Sequence, residues 1–376
     1  MFLLEDRFDF KYAPILSLSP SEMEALEQLP EKDKDLILPL FPLKGWMSSQ
    51  LLENSLKKIK KTIGDRKWVA FFDNEYLSGN KDFLLTGTYP REVFNQLAAL
   101  KKSDHGYNNW YSFLKEIPEA IPTVFLDDLS ELELQLTKLI SLNRGLVFVF
   151  EVKKLPLTSY NKVIAAVAKL KISDLLFVYD LGTISVDYNE YYQPLLNLIN
   201  KTKDVVPFAR VAVSGTSFPF NFAGYHKGEN SIYERILFNK LKNAISVYPT
   251  IYSDRGSARI DKQSGGGNLP PPRIDYALKN DWRFIRREFE DPKSPGDGEK
   301  EHLYYLCAKE IMEQEYWSKS LHLWGTQMIE LTSKKEKFGI NTPQKATAVR
   351  INIHLYTQLH YDYVLEEIDT DEDWED

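Results

Sequence analysis

Residues 145–151, GLVFVFE, and 174–180, DLLFVYD, decide the fold. Both runs are apolar throughout instead of alternating, and both close on a carboxylate. A strand with solvent on one face alternates, whereas a parallel strand covered on both faces reads as a continuous apolar run. Six further short apolar runs each end at a polar or charged residue: YAPILS (12–17), ILPLFPL (37–43, followed by Lys44), WVAFFD (68–73), TVFLD (123–127), VVPFARVAVS (205–214) and ISVYPTIYSD (245–254). Segments with helical patterning separate them. Strand and helix repeated eight times predict a (β/α)8 TIM-type barrel over residues 8–254. Such a fold carries its site at the C-terminal strand ends. Those ends are Ser17, Lys44, Asp73, Asp127, Glu151, Asp180, Ser214 and Asp254.

The punctuation between the runs supports this reading. SPSEMEALEQL opens with Ser19 as an N-cap, Pro20 at the first helical position and Glu22 closing a capping box. Pro39 and Pro42 remove ladder donors, so they belong at strand ends or a bulge. The longest interruption, 74–121, holds a short strand at FLLTGTY, a helix opened by Pro90 and the aromatic patch HGYNNWYSFL. Beyond Asp254, RGSARIDKQSGGGNLPPPR (255–273) combines glycine and proline and is expected to be a mobile loop. RIDYAL and WRFIRREF read as a hairpin. Residues 255–300 thus form a loop and hairpin over the barrel mouth. Residues 301–365 form a helical extension, its first helix running past Trp317 toward Met328 and its last starting at Pro343. The acidic tail 366–376 is expected to be disordered.

Composition narrows the function classes. The chain has 376 residues, is 43% hydrophobic and carries a net charge of −7. No global basic field draws in nucleic acid. The single cysteine, Cys307, excludes an intrachain disulfide and fits a reducing, cytoplasmic setting. It reads as a buried small residue on a helix. The opening MFLLEDRFDF has acids where a signal peptide needs a basic region, and no apolar run is long enough to span a membrane.

Three constellations carry possible chemistry. Asp73, Asp180 and Asp254 sit at strand ends; converging carboxylates hold a divalent metal or divide acid and base roles, or else cap the loops that follow. Arg210, Ser214, Thr216 and Ser217 flank a Gly-containing turn, where backbone N–H groups and hydroxyls suit a phosphate nest or a plain capped turn. Trp282, Arg286 and Arg287 either stack on a base and pair with a phosphate, or neutralise an acidic rim. SGGGNLPPPR lacks the Gly-Lys-Ser/Thr of a phosphate loop, the six histidines show no zinc spacing, and no Gly-x-Ser-x-Gly elbow is present.

Several segments resemble the bacterial and phage "beta protein" family. In the opening, Tyr12, Pro14, Ile15, Leu16, Glu22, Ala25 and Leu26 match its pattern. VAVSGTSFP, YSDRGSAR, WRFIR and FVYDLGTI are similar to its later turns and strand ends. The resemblance implies a barrel-like fold, genes in prophages and defence islands, and a neighbouring nuclease-type protein. Ser17 and Ser19 replace family lysines and Pro42 replaces a glutamate, which favours binding over inherited catalysis. The expectation is a cytoplasmic anti-phage or phage-conflict protein whose barrel mouth binds a phosphate-bearing, nucleotide-like ligand or docks an effector partner. The alternatives are a metal-dependent phosphodiester hydrolase using the three aspartates, and a structural assembly subunit. In the last, the aromatic C-terminal helices, with Tyr304, Tyr305, Trp317, Leu321, Trp324, Tyr356 and Tyr361, form an oligomer or partner surface.

Overall fold

Among the described residues ten strands follow one another: β1 (Leu40–Pro42), β2 (Trp68–Phe71), β3 (Ala120–Pro122), β4 (Leu146–Glu151), β5 (Leu175–Thr183), β6 (Arg210–Thr216), β7 (Lys227–Ser231), β8 (Thr250–Tyr252), β9 (Arg273–Ala277) and β10 (Asp281–Arg286). The structure, a computed structural model, describes residues 10–222, 224–245, 250–260 and 269–368. The expected disorder of 369–376 and the Gly-rich centre of the 255–273 loop, 261–268, lie outside them. The protein is a mixed α/β chain with parallel sheets. Its contacts divide into two compact units.

The first unit comprises Met1–Ser19, Leu36–Gly215 and Glu234–Asp254. Its ladders are parallel: β1-β2-β3 in one sheet and β4-β5-β6-β8 in another. Regular ladders therefore make separate open sheets instead of the expected single ring. YAPILS forms no ladder of its own, because Pro14 at its centre has no N–H to donate. It makes bridges instead, Tyr12 to Ile37 and Tyr252, and Ile15 to Leu40. Ala13 N donates to Tyr252 O at 2.9 Å and Ile15 N to Asp254 O at 2.8 Å. On the other side of the gap, Thr123 bridges Val147.

One apolar cluster joins all these segments: Ala13 and Ile15, Leu38 and Leu40, Val69, Ile121, Val147, Leu176 and Val178, Ala212, and Ile251. The opposite faces of β4 and β5 are equally dry. Phe148, Phe150, Phe177 and Tyr179 stack there with centroids 5.1–6.1 Å apart. Burial on both faces is why these runs do not alternate.

Two local expectations fail in this unit. FLLTGTY is not a strand: a helix spans Lys81–Thr86, because Asn80 accepts from Phe83 N at 3.0 Å and Gly87 closes it in the left-handed region. TVFLD starts too late: the ladder is Ala120–Pro122. Past Thr123 the chain leaves the sheet, and the Gln135 amide satisfies both backbone groups of Phe125, at 2.6 and 3.0 Å. Asp127 is therefore an exposed loop residue paired with Lys101.

The second unit comprises Pro20–Asp35, Thr216–Tyr233 and Arg255–Asp376. Its sheet is antiparallel, ordered β7-β10-β9, with the expected hairpin β9–β10 in it. The helix Pro20–Glu27 begins at Pro20 as expected and packs on the helix Pro343–Leu359, which Thr342 caps through Lys345 N. The helix Glu299–Met312 does not run on to Met328. It stops, and a new helix, Trp324–Ser333, starts where Thr326 Oγ1 accepts from Leu323 N at 2.9 Å. Tyr304, Trp317, Leu321 and Tyr356 are buried, and Tyr304 and Trp317 belong to a core with Trp282 and Cys307. Tyr305, Trp324 and Tyr361 are half-buried. The chain's own core accounts for most of these aromatics, which removes the reason to expect an oligomer surface there.

Candidate binding site at the strand ends

Side chains two residues apart on a strand share a face. Counting on by twos from the apolar cluster of the first unit reaches a polar residue on every segment: Ser17, Lys44, Asp73, Thr123, Glu151, Asp180, Ser214 and Ser253. All stand on the C-terminal side. The apolar core thus ends in a polar tier. Lys44, Thr123, Asp180, Ser214 and Ser253 are buried, whereas Asp73 and Glu151 are exposed.

Most of these groups are engaged. Lys44 Nζ donates to Ser17 Oγ, which puts an ammonium where the segment 12–17 itself carries only a hydroxyl. Thr123 Oγ1 donates to Ala70 O at 2.9 Å, and Ser253 Oγ to Ala13 O at 2.6 Å. Asp180 accepts from Gly182 N at 3.0 Å. Glu151 pairs with Lys154, which also reaches Glu75; these hydrogen bonds hold the Lys154 ammonium above its usual lysine range. Ser214 Oγ differs: it is fully buried and has no hydrogen-bond partner among the described residues. A buried hydroxyl without a partner is costly, and it points to a water or ligand group facing it.

The three candidate aspartates do not all share one face: Asp73 and Asp180 belong to the tier and Asp254 does not. Asp73 caps the helix Asn74–Ser78, accepting from Glu75 N at 3.0 Å. Asp254 lies on the opposite strand face from the tier. Tyr12 OH donates to it, the Tyr12 and Tyr252 rings stack at 5.5 Å, and the Arg235 guanidinium sits 3.3 Å from the Tyr252 ring centre. Burial, then the Asp254 charge, pushes both hydroxyls well above the ordinary tyrosine value. This cluster is closed scaffold. Among the described residues no three His, Cys, Asp or Glu side chains are grouped to hold a metal ion.

The expected phosphate nest is also dispersed. Arg210 opens β6 and lies over Phe10, 5.4 Å from its ring centre. Four residues of extended chain, about 13 Å, separate it from Ser214. Thr216 Oγ1 donates to Ala258 O at 2.8 Å; Ser217 Oγ donates to Ser231 O at 3.2 Å and accepts from Tyr233 N at 3.0 Å. Both hydroxyls are engaged in tying backbone. Trp282 is buried and donates to His354 Nδ1 at 3.3 Å, so it stacks on no ligand base. Arg286 pairs with Glu288 and Arg287 with Glu310. Lys44, Ser17 and Ser253 were missed as site residues; the period-two count from the apolar core is the signal that finds them.

The fold and the tier define a class: an α/β protein whose parallel strands bury an apolar core and gather polar side chains at their C-terminal ends. The family model described as "Beta protein" matches residues 12–360, and the chain belongs to that family. It is 25% identical over 366 residues to "Protein beta" of Enterobacteria phage P4, covering 95% of each chain. Among the described residues no helix is long and apolar enough to cross a membrane.

Proposed function

We propose that the polar tier binds a phosphate-bearing, nucleotide-like ligand, and that the bridges at Tyr12, Ile15 and Thr123 complete the two parallel sheets into a (β/α)8-type ring around the shared core. The observation that carries the reading is the pair of the buried Lys44 with the half-buried Ser17, in the same tier as the Ser214 hydroxyl, which has no hydrogen-bond partner among the described residues. The ammonium suits a phosphate, and Asp180 and Ser214 suit ligand hydroxyls, since a carboxylate accepts and a hydroxyl does both. The similarity to a phage protein supports a role in phage–host conflict. Adenosine monophosphate is the probe: it should raise the melting temperature of the full chain, and Lys44→Met should remove most of that rise. An unchanged rise in Lys44→Met would refute the site.

A second reading, docking of an effector protein, has one observation behind it. Leu84 and Leu85 are 68% and 84% exposed on the helix Lys81–Thr86. Apolar side chains left in water favour an interface. Leu85→Glu should abolish co-purification with the product of the neighbouring gene; undiminished co-purification removes this reading.

A further inference from the structure

The second unit holds a buried charge cluster that does not balance. Asp275 is 2% exposed and Arg350 4%. Arg350 Nη1 donates to Asp275 Oδ2 at 2.9 Å, and Arg273 Nε lies 2.9 Å from Asp275 Oδ1. Arg259 completes the group: its Nε donates to Pro219 O at 2.7 Å. Three guanidiniums thus meet one carboxylate. Asp275 is the carboxylate that bears on Arg259 and on Arg350 among the described residues, while Arg273 repels both. Burial and that repulsion lower both guanidinium values, Arg350 to about 10.

Aromatic faces relieve part of the excess. Arg350 lies 3.9 Å from the Phe218 ring centre, Arg273 lies 3.6 Å from that of Phe222, and Arg259 lies 5.4 Å from that of Phe220. A ring quadrupole is weaker than a full counter-charge, so among the described residues the three guanidiniums share one carboxylate, with Arg350 buried and Arg259 and Arg273 half-exposed. The backbone is also bent to serve the cluster. Ser257, a non-glycine residue at φ +60°, offers its hydroxyl to Arg350 Nε at 3.3 Å. Strain of this kind persists where the surroundings impose it and concentrates at functional sites. Arg350 is the buried floor. Arg259 and Arg273 are half-exposed and give the cluster its path to solvent. Phe220, 48% exposed, stands beside Arg259.

We infer that the second unit binds the phosphate group of a small ligand between the guanidiniums of Arg259, Arg273 and Arg350. Planar guanidinium forks match phosphate oxygens in pairs, and a dianion cancels the two excess charges. The exposed Phe220 ring favours an ester with a planar group over the free ion. This site is separate from the strand-end tier and does not rest on that reading.

The test is thermal unfolding of the full chain in potassium phosphate against potassium chloride of equal ionic strength. Phosphate should stabilise the protein in a saturable way. Arg259→Gln, at a half-exposed position, should weaken phosphate binding about tenfold, the loss of one charge-assisted pair. Arg259→Lys, which keeps the charge and removes the fork, should weaken it less. A larger response to adenosine monophosphate in the Lys44→Met chain assigns an ester, and an equal response assigns the free ion. No specific phosphate stabilisation in the unmodified chain would overturn the inference. So would a response that persists in Arg259→Gln and disappears in Lys44→Met, which would leave the strand-end site standing alone.

Discussion

The cluster around Asp254 in the first unit and the cluster around Asp275 in the second are each built on a buried aspartate. They differ in charge. Among the described residues the Asp254 cluster holds one guanidinium, Arg235, a second buried carboxylate, Glu234, and two tyrosine hydroxyls held neutral by burial. Asp275 faces three guanidiniums. Buried carboxylates answered by hydroxyl donors and a guanidinium suit a scaffold, because an uncompensated ion costs more than its contacts return. An excess of guanidiniums with a path to solvent marks a place where something of opposite sign belongs. Asp254, a metal or acid–base candidate in the hydrolase alternative, is instead engaged with Tyr12 on the face away from the tier. Arg259, Arg273 and Arg350 carry the unmatched charge.

The largest effect expected is at Asp275. Asp275→Asn strips the remaining negative charge from the buried Arg350 and should cost about 3–5 kcal/mol in urea unfolding. Asp254→Asn should cost less, about 1–3 kcal/mol, because Arg235 keeps its tyrosine face. Equal losses would erase the distinction between the two clusters.

Alkaline pH sharpens it. Tyr12 and Tyr252 lie well above the ordinary value of 10.0 in the folded protein. Above pH 10 the unfolded chain sheds protons that the folded chain retains, so stability falls as pH rises from there. Asp254→Asn removes one cause of the shift and should make that fall shallower in alkaline unfolding. An unchanged slope would separate the tyrosines from Asp254. The smallest effect expected is Ser214→Ala, within about 0.5 kcal/mol, because the hydroxyl has no hydrogen-bond partner among the described residues. A large loss of stability would mean that Ser214 belongs to the scaffold as well.

How much of this was legible in the sequence follows from where each signal lives. β4 and β5 were readable because burial on both faces leaves an unbroken apolar run. The hairpin β9–β10 was readable for its paired apolar stretches. β7, KGENS, was not: it is held at the edge of its sheet by backbone pairing with β10 and carries no apolar pattern. FLLTGTY was misread because Asn80 and Gly87 outweigh the β-propensity of its threonines and aromatics. The strand-end tier was half legible. The run ends were placed, but Asp254 was assigned to the wrong face by one residue, and Ser253 beside it holds the tier position. The arginine cluster had no sequence signal, since its members come from residues 259, 273, 275 and 350 and only folding brings them together.

A crystal structure of the full chain grown with adenosine monophosphate decides whether the strand-end tier is the ligand site of the first unit. The phosphate is expected within hydrogen-bond distance of Lys44 Nζ, with a ligand hydroxyl or ordered water on Ser214 Oγ. A tier filled by its own side chains, with the nucleotide absent or held only by Arg259 and Arg273, would contradict it.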